Sequence, residues 1–372
     1  MTTFLGLKLF THQSFRRLNF KRISVINLQT VLISSQKLVY SEFGDPAKVV
    51  RLEHEELREP KETEVLVRML AAPLNPADIN TIQGVYPSKP VLPAVPGNEG
   101  VGEVVSAGSA VLSLRPGDHV TPYLPTNLGT WRTHAVFQAN EVCKVPKELG
   151  VVEAATMSVN PYTAYRMLKD FVPLSEGDVV IQNGANSACG QNVIQLCKLW
   201  GLRSINVVRN RPDIGELKRY LMDLGATYVL TEEELRETEM FKTKEVQRPR
   251  LALNCVGGRN SLMVLKQLDR GGTMVTYGAM SREPVPAHNS LFIFKDLRLR
   301  GYWMTAWTNK HAGMPEHLQM KEEVSRMLMD GSLRPPVHKL VPISQYKEAV
   351  TSVLRQTGFV GLKYVFDFQR EG

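Results

Sequence analysis

Residues 178–201 read DVVIQNGANSACGQNVIQLCKLWG, and this stretch decides the fold. Its first part, Asp178–Gln182, is a short apolar run that predicts a buried strand. A turn of small residues follows. Asn192–Trp200 then has helical apolar spacing and ends at Gly201, a residue suited to a helix C-terminus. The order of strand, small-residue turn and helix is typical of the first unit of a doubly wound nucleotide-binding sheet.

The alternation of strand and helix continues after residue 201. Thr231 and Glu234 have the spacing of a capping box that opens a helix, and Ile214 begins a second helical pattern. Alternating strands and helices predict a parallel sheet covered by helices on both faces. The further strands are predicted at Ser204–Val208, Tyr228–Leu230, Leu251–Val256, Thr273–Tyr277 and Leu297–Trp303.

The residues before this unit have a different pattern, which is typical of strands and turns. From Lys37 to about Tyr162, short apolar or alternating runs such as Val101–Ser106 stand between prolines and glycines, which predicts a β-rich domain. After about residue 306, a helix is predicted over Met320–Met329 and a last strand over Lys363–Phe368. A chain of 372 residues also favours two domains over one.

The small-residue turn predicts a site for a diphosphate. Residues 183–190 lack a GxGxxG pattern, so a tight strand–helix turn without a ligand is an open alternative. The residues at the end of the next predicted strand favour a bound dinucleotide over an empty turn. About 20 residues after the turn, NAD enzymes carry an acid for the ribose hydroxyls. Here the chain has Arg209, Asn210 and Arg211, and two guanidiniums would pair with a 2′-phosphate. The pattern therefore favours NADP(H).

The charge of the chain is concentrated at its start. Residues 1–36 contain five basic residues and no acid, and they are rich in Ser and Thr, the composition of a mitochondrial transit peptide. A disordered basic tail is the alternative. Without this segment the net charge falls from +8 to +3, which does not favour nucleic acid as a partner. The basic residues are Lys8, Arg16, Arg17, Lys21 and Arg22.

Metal, disulfide and membrane signals are absent from the sequence. The four cysteines form no C-x-x-C pair, and the eight histidines have no metal-ligand spacing. No apolar run approaches the length of about 18 residues needed to span a membrane. No G-x-S-x-G elbow supports a serine hydrolase.

Six stretches of the sequence together identify a protein family far more specifically than any glycine motif does. On them the chain resembles the medium-chain dehydrogenase/reductase superfamily and, within it, the mitochondrial 2-enoyl thioester reductases. The similarity runs from about Leu38 to the C-terminus. The stretches are GDPAKVV (44–50), LAAPLNP (70–76), IQGVY (82–86), GTWRT (129–133), NPYTAYRML (160–168) and LNCVGG (253–258).

The resemblance implies an α/β fold with a GroES-like β-rich catalytic domain and a doubly wound Rossmann domain. The implied segments are a transit peptide (1–36), the catalytic domain (37–163), the Rossmann NADPH-binding domain (164–305) and a return to the catalytic domain (306–372). The implied activity is NADPH-dependent reduction of the C2–C3 double bond of trans-2-enoyl thioesters, carried by acyl carrier protein or coenzyme A, in mitochondrial fatty acid synthesis. A matrix location and a homodimer are expected.

The resemblance also assigns roles to residues. The family's catalytic tyrosine falls on Tyr86, whose phenol would donate a hydrogen bond or a proton as charge develops on the substrate, and Trp303 is expected to line the acyl tunnel. Without the resemblance, Tyr86 would be taken for a half-buried surface residue. The implied cofactor contacts are Asn160; Ser187, Ala188, Cys189 and Gly190; Arg209, Asn210 and Arg211; Tyr277, Gly278, Ala279 and Met280; Tyr302, Trp303 and Met304; and Lys363.

The chain departs from the family at three places. Ala188-Cys189 replaces the common glycine and valine, Arg-Asn-Arg replaces Arg-Asp-Arg, and Tyr-Trp-Met replaces Phe-Trp-Leu at Tyr302–Met304. The second departure removes a negative charge beside the expected 2′-phosphate. Zinc relatives carry Cys and His where this chain has Asn75 and Asn98, so no metal is expected.

Two other functions remain open at this level. A zinc-free NADPH quinone or alkenal reductase would share the fold and cofactor but lack the acyl substrate. A non-catalytic regulator that binds nuclear receptors would use the basic segment 1–36 as a nuclear signal, although it lacks a dense Lys/Arg run.

Overall fold

The computed structural model describes residues 32–124, 128–355 and 362–369. Most of the predicted transit peptide, residues 1–31, lies outside them. Its last residues, from Ile33, form part of β1 (Ile33–Val39), which pairs antiparallel with β2 (Arg51–Leu57). The predicted leader and its boundary at residue 36 stay a prediction. Within the described ranges, we find no helix with the length and apolar character that a bilayer crossing requires.

The β-rich domain is built on a long, almost fully buried strand, β3 (Glu64–Pro73), which pairs on one side with β4 (Val101–Ala107) and on the other with β6 (His134–Gln138). The short helix α2 (Pro76–Ile82) follows β3 directly, with Pro76 in its first turn and Asn75 as its N-cap. The remaining elements here are β5 (His119–Pro122), β7 (Val142–Val145), α1 (Pro46–Val49), α3 (Val151–Thr156) and α4 (Asn160–Asp170).

The predicted parallel sheet is confirmed. Its strand order is β10-β9-β8-β11-β12-β13, which is the order of the dinucleotide-binding fold. The strands are β8 (Val179–Asn183), β9 (Arg203–Val208), β10 (Tyr228–Thr231), β11 (Leu251–Asn254), β12 (Thr273–Thr276) and β13 (Arg298–Gly301). The helices are α5 (Ala188–Leu199), α6 (Ile214–Asp223), α7 (Glu232–Glu237), α8 (Gly258–Gln267) and α9 (Asn289–Lys295).

Several predicted bounds need correction. Helix α5 begins at Ala188 rather than Asn192, because the Ser187 hydroxyl caps it by accepting from the Gly190 N–H at 3.1 Å. The strands predicted over 251–256, 273–277 and 297–303 are shorter, so Cys255, Tyr277 and Trp303 lie in the loops that follow them. The capping box of Thr231 and Glu234 at α7 is confirmed.

The last segment returns to the β-rich domain. After α10 (Met304–His311), α11 (Pro315–Met329), β14 (His338–Val341) and α12 (Tyr346–Arg355), strand β15 (Lys363–Asp367) pairs antiparallel with β3. The seven-stranded sheet has the order β14-β15-β3-β4-β5-β7, with β6 on β3. The pairing of β15 with β3 brings the last segment onto the sheet of the β-rich domain, while the four predicted segments and their boundaries stay a prediction.

One apolar core joins the two sheets. It includes Leu70 and Val101 of the β-rich domain together with Val180 and Leu251 of the parallel sheet, and helix α4 packs on α5 between them. Lys363, at the start of β15, bonds to Asn75 at the start of α2 and interacts electrostatically with Cys189, just beyond the carboxyl end of β8, so the β-rich domain meets this end of the parallel sheet. Ligands of such sheets bind at this end.

Candidate active site

The predicted diphosphate-binding turn, residues 183–190, leaves no room for a side chain at two of its glycines. Gly184 has φ +57°, and a Cβ there would lie 2.5 Å from Cys255 Sγ. A Cβ on Gly190 would lie 2.6 Å from the Ala185 carbonyl oxygen. The N–H groups of Ala188 and Cys189 open α5 and, by helix geometry, have no partner within the helix. The turn therefore offers backbone donors and a helix N-terminus to a diphosphate.

Asparagine side chains connect the ends of β8 and β11, the two neighbouring strands at which the strand order reverses. Asn183 Nδ2 donates to Asn254 Oδ1 over 2.7 Å, and the Cys255 N–H donates to Asn183 Oδ1 over 2.8 Å. The Met280 N–H donates to the Cys255 carbonyl, which holds the predicted contact loop 277–280 against β11. Burial raises the pKa of the Tyr277 phenol well above its usual value, so that group stays neutral.

The two predicted arginines lie together at the end of β9. The Arg211 N–H donates to Asn210 Oδ1 over 2.9 Å, and Arg211 Nε donates to the Arg209 carbonyl over 3.5 Å. Partial burial and the neighbouring Arg209 charge lower the pKa of Arg211. Two like charges held side by side suit a dianionic phosphate placed between them.

The predicted cofactor contacts Asn160 and Lys363 meet at one oxygen. Both donate to Asn75 Oδ1, Asn160 Nδ2 at 3.3 Å and Lys363 Nζ by a short bond. Asn75 Nδ2 donates in turn to Glu99 Oε1 over 2.7 Å, and Lys363 Nζ lies 3.8 Å from the same oxygen. Burial raises the pKa of Glu99 and lowers that of Lys363, while the charge of each partner opposes the shift of the other.

Asn75 and Asn98, the two positions at which the sequence predicts no zinc ligand, are both hydrogen-bonded to Asp78. The Asp78 carboxylate accepts from the backbone N–H of Asn75 and from both the backbone and the side chain of Asn98, at 2.7–3.0 Å. Burial raises the pKa of Asp78 to about 7. In the described ranges, no three His, Cys, Asp or Glu side chains converge as metal ligands would.

Tyr86 lies against Trp303. Trp303 Nε1 is 2.7 Å from Tyr86 Oη, and the rings meet edge to face at 5.9 Å. An indole N–H can only donate, so the phenol oxygen accepts and keeps its own proton for another partner. Burial raises the Tyr86 pKa, although hydrogen bonds with Trp303 and Thr305 oppose the shift. The phenol is therefore protonated at physiological pH.

Sequence reasoning missed part of this site. It named Asn75 and Asn98 only as absent zinc ligands, and it assigned no role to Asp78, Glu99 or Thr305. The signal that could have indicated these residues is the pair of polar residues at 98 and 99 within an otherwise apolar stretch. Lys363 stands 288 residues from Asn75, and no local pattern connects two such distant positions.

Comparison with known proteins agrees with this geometry. Residues 61–147 match the alcohol dehydrogenase GroES-like domain, and residues 188–320 match the zinc-binding dehydrogenase family. The human mitochondrial enoyl-(acyl-carrier-protein) reductase is 52% identical over 86% of this chain and 85% of its own length. The chain belongs to the mitochondrial enoyl-(acyl-carrier-protein) reductase family. The resemblance seen in the sequence is thereby confirmed.

Solved structures of related enoyl reductases share the fold. The Etr1p/NADP/crotonyl-CoA complex has a TM-score of 0.83 and 35% identity over 90% of this chain and all of that one. The mitochondrial 2-enoyl thioester reductase Etr1p/Etr2p heterodimer from Candida tropicalis has a TM-score of 0.83 and 34% identity over 90% and 100% of the two chains. The predicted fold class, a GroES-like domain plus a Rossmann domain, is likewise confirmed.

Within this enoyl reductase, replacing Glu99 with glutamine should lower the free energy of unfolding by about 3–5 kcal/mol, because the buried Lys363 ammonium loses its carboxylate. Urea denaturation measures the change. The double variant Glu99→Gln/Lys363→Met removes both charges and should recover part of the loss. A Glu99→Gln protein as stable as the wild type would show that the pair is not ionic.

Proposed function

We propose that this chain reduces the C2–C3 double bond of trans-2-enoyl thioesters with NADPH, as an enzyme of mitochondrial fatty acid synthesis. The observation that carries the proposal is the Tyr86–Trp303 pair, which holds a protonated phenol at the carboxyl end of a nucleotide-binding sheet. The Etr1p relative is a complex with NADP and crotonyl-CoA, which supports both the cofactor and the substrate class.

Four groups of residues fit the cofactor. The turn from Ser187 to Gly190 would hold its diphosphate, and Arg209 with Arg211 its 2′-phosphate. The loops 277–280 and 302–304 would border it at the strand ends. Asn160 and Lys363, fixed on Asn75, would contact it from the catalytic domain. The close packing at Gly184 and Gly190 fixes the path of the turn and so supports its role as a binding loop.

NADPH, when bound, supplies the hydride that adds to C3. Negative charge then develops on C2 and the thioester oxygen of the substrate. Tyr86 donates its O–H toward this charge, while Trp303 fixes the phenol by occupying a lone pair of Oη. C2 must finally receive a proton, and Tyr86 is the group we assign to deliver it. The phenol therefore stabilises the developing negative charge as a hydrogen-bond donor.

Steady-state oxidation of NADPH by crotonyl-CoA tests the function, with NADH as the alternative donor and quinones as alternative acceptors. We expect turnover with crotonyl-CoA and a preference for NADPH. Turnover with quinones or alkenals alone would favour the rival reductase. A protein inactive with all acceptors and found in the nucleus by cell fractionation would favour the regulator.

The protein is mitochondrial, as its enoyl reductase relatives are named. We further propose a homodimer. Strand β13 is an edge of the parallel sheet and so has an unpaired backbone side. In α9, the helix that precedes β13 in the chain, Ile293 and Phe294 are 71% and 72% exposed. Sedimentation of the wild type and of a Phe294→Asp variant would test this: the wild type should be dimeric and the variant monomeric.

A further inference from the structure

A small cavity lies where the helices α10 and α11 meet the β-rich domain. Its walls are formed by β5, β7 and α4 of that domain and by the two helices. The space that the centre of a water molecule can occupy there is about 10 Å³, which suffices for one water. The described residues that line it include none of the predicted catalytic or cofactor residues. The cavity is therefore a feature of its own.

Three buried side chains bring polar atoms to this cavity that have no hydrogen-bond partner among the described residues. The atoms are Tyr162 Oη, Thr308 Oγ1 and His317 Nδ1. Their residues are only 4%, 2% and 1% exposed, so bulk solvent does not satisfy them. Buried polar groups in folded proteins almost always have a partner, because an unpaired one costs free energy. Three of them around one cavity indicate a ligand that bonds to all three.

The chemistry of the lining selects the ligand. Among the described residues of the walls, Lys321 carries the one charge and none is a carboxylate, so a metal ion finds no suitable ligands. Burial raises the pKa of Tyr162 well above its usual value, and burial, together with the charges of Lys321 and His311, lowers the pKa of His317 to about 4. A neutral phenol, a hydroxyl and a neutral imidazole can each donate or accept a hydrogen bond, and so can water.

We propose that this cavity binds one water molecule, which joins α4 to α10 and α11 through hydrogen bonds to Tyr162, Thr308 and His317. The neighbouring rings fix the imidazole for this bond. Tyr123 and Trp307 meet the His317 ring edge to face, at 5.8 and 6.2 Å between ring centres. A buried water with about three protein partners is the common arrangement in folded proteins.

The two helices that the water joins both begin at the reaction site. Helix α10 begins at Met304, directly after Trp303, which bonds to Tyr86. Helix α4 begins at Asn160, a predicted cofactor contact. The water itself contacts neither of these helix starts, since it bonds to the helices further along. Its part is therefore to hold α10 and α11 on the β-rich domain.

The stability of variants tests the site through the sign of the change. Tyr162→Phe and Thr308→Val each remove one hydroxyl, and with it a hydrogen bond to the water. The unfolding equilibrium constant from urea denaturation should rise about fivefold, or about 1 kcal/mol, in each. Thr351→Val, which removes a hydroxyl from the surface of α12, is the matched control and should change the constant by about twofold or less. If the two buried hydroxyls had no partner, their removal would leave the constant unchanged or lower it, and this result overturns the proposal.

Hydrogen exchange and a crystal structure address the water directly. In Tyr162→Phe, the backbone amides of α10 should exchange about fivefold faster, because the water transmits the change from α4 to α10. Unchanged exchange in α10 would contradict the bridge. In a wild-type crystal grown in sodium bromide, density for one water should lie about 2.7–3.2 Å from Tyr162 Oη, Thr308 Oγ1 and His317 Nδ1. A peak with the anomalous signal of bromide, or no peak at all, would overturn the proposal.

Discussion

A Tyr86→Phe variant is expected to lose about 10²–10⁴-fold in kcat for crotonyl-CoA, the contribution typical of a positioned acid. The change removes only the phenol oxygen, which accepts from Trp303 and holds the proton assigned to C2. The phenyl ring can keep its edge-to-face contact with the indole. Binding of NADPH, followed by its fluorescence, should be unchanged, because Tyr86 is not among the predicted cofactor contacts.

The matched control is Tyr228→Phe. It removes the same atom at the far edge of the parallel sheet, where Tyr228 Oη accepts from Arg203, and kcat should stay as in the wild type. The pH profile is a second readout. Since burial raises the pKa of Tyr86 above its ordinary value of about 10, the required phenol persists through neutral pH and is lost only in strong alkali. Near-normal turnover by the Phe variant would remove the catalytic role of Tyr86.

The second large effect is expected from Arg209→Ala/Arg211→Ala. Each charge-assisted contact contributes about 1.5–3 kcal/mol, and the KM for NADPH should rise roughly a hundredfold or more. NADH lacks the 2′-phosphate, so its KM should change little and the preference between cofactors should narrow or reverse. Initial rates with both cofactors measure the effect.

Arg219→Ala is the control for this pair, since it removes an exposed arginine from the nearby helix α6. Its KM for NADPH should match the wild type. If the double variant raised the KM for NADPH and the KM for NADH equally, the arginines would contact a part of the dinucleotide that both cofactors share. If both KM values stayed as in the wild type, the arginines would not contact the cofactor.

The nucleotide-binding half was predictable from the sequence because its signals are local. Strand β8, its small-residue turn and helix α5 are consecutive, and the arginines follow at the spacing that the fold requires. The errors were local as well. Apolar periodicity predicts a start at Asn192 because it does not extend to the first turn of α5, where the Ser187 cap sets the boundary.

The catalytic half was less predictable because its contacts join distant segments. Asn75 N-caps α2, Glu99 follows a tight loop, Asn160 opens α4 and Lys363 begins β15, yet they share one hydrogen-bonded cluster. The bond from Trp303 to Tyr86 spans 217 residues. Tyr86 itself entered through a family resemblance, since a tyrosine in a proline-rich loop has no local signal of catalysis.

The position of isotopic label in the product tests the central claim most directly. Crotonyl-CoA would be reduced with NADPH deuterated at the transferred position, and the product analysed by NMR and mass spectrometry. The account predicts butyryl-CoA with deuterium at C3, and deuterium at C2 when unlabelled NADPH is used in heavy water. Recovery of unchanged crotonyl-CoA, or label on the carbonyl carbon, would contradict it.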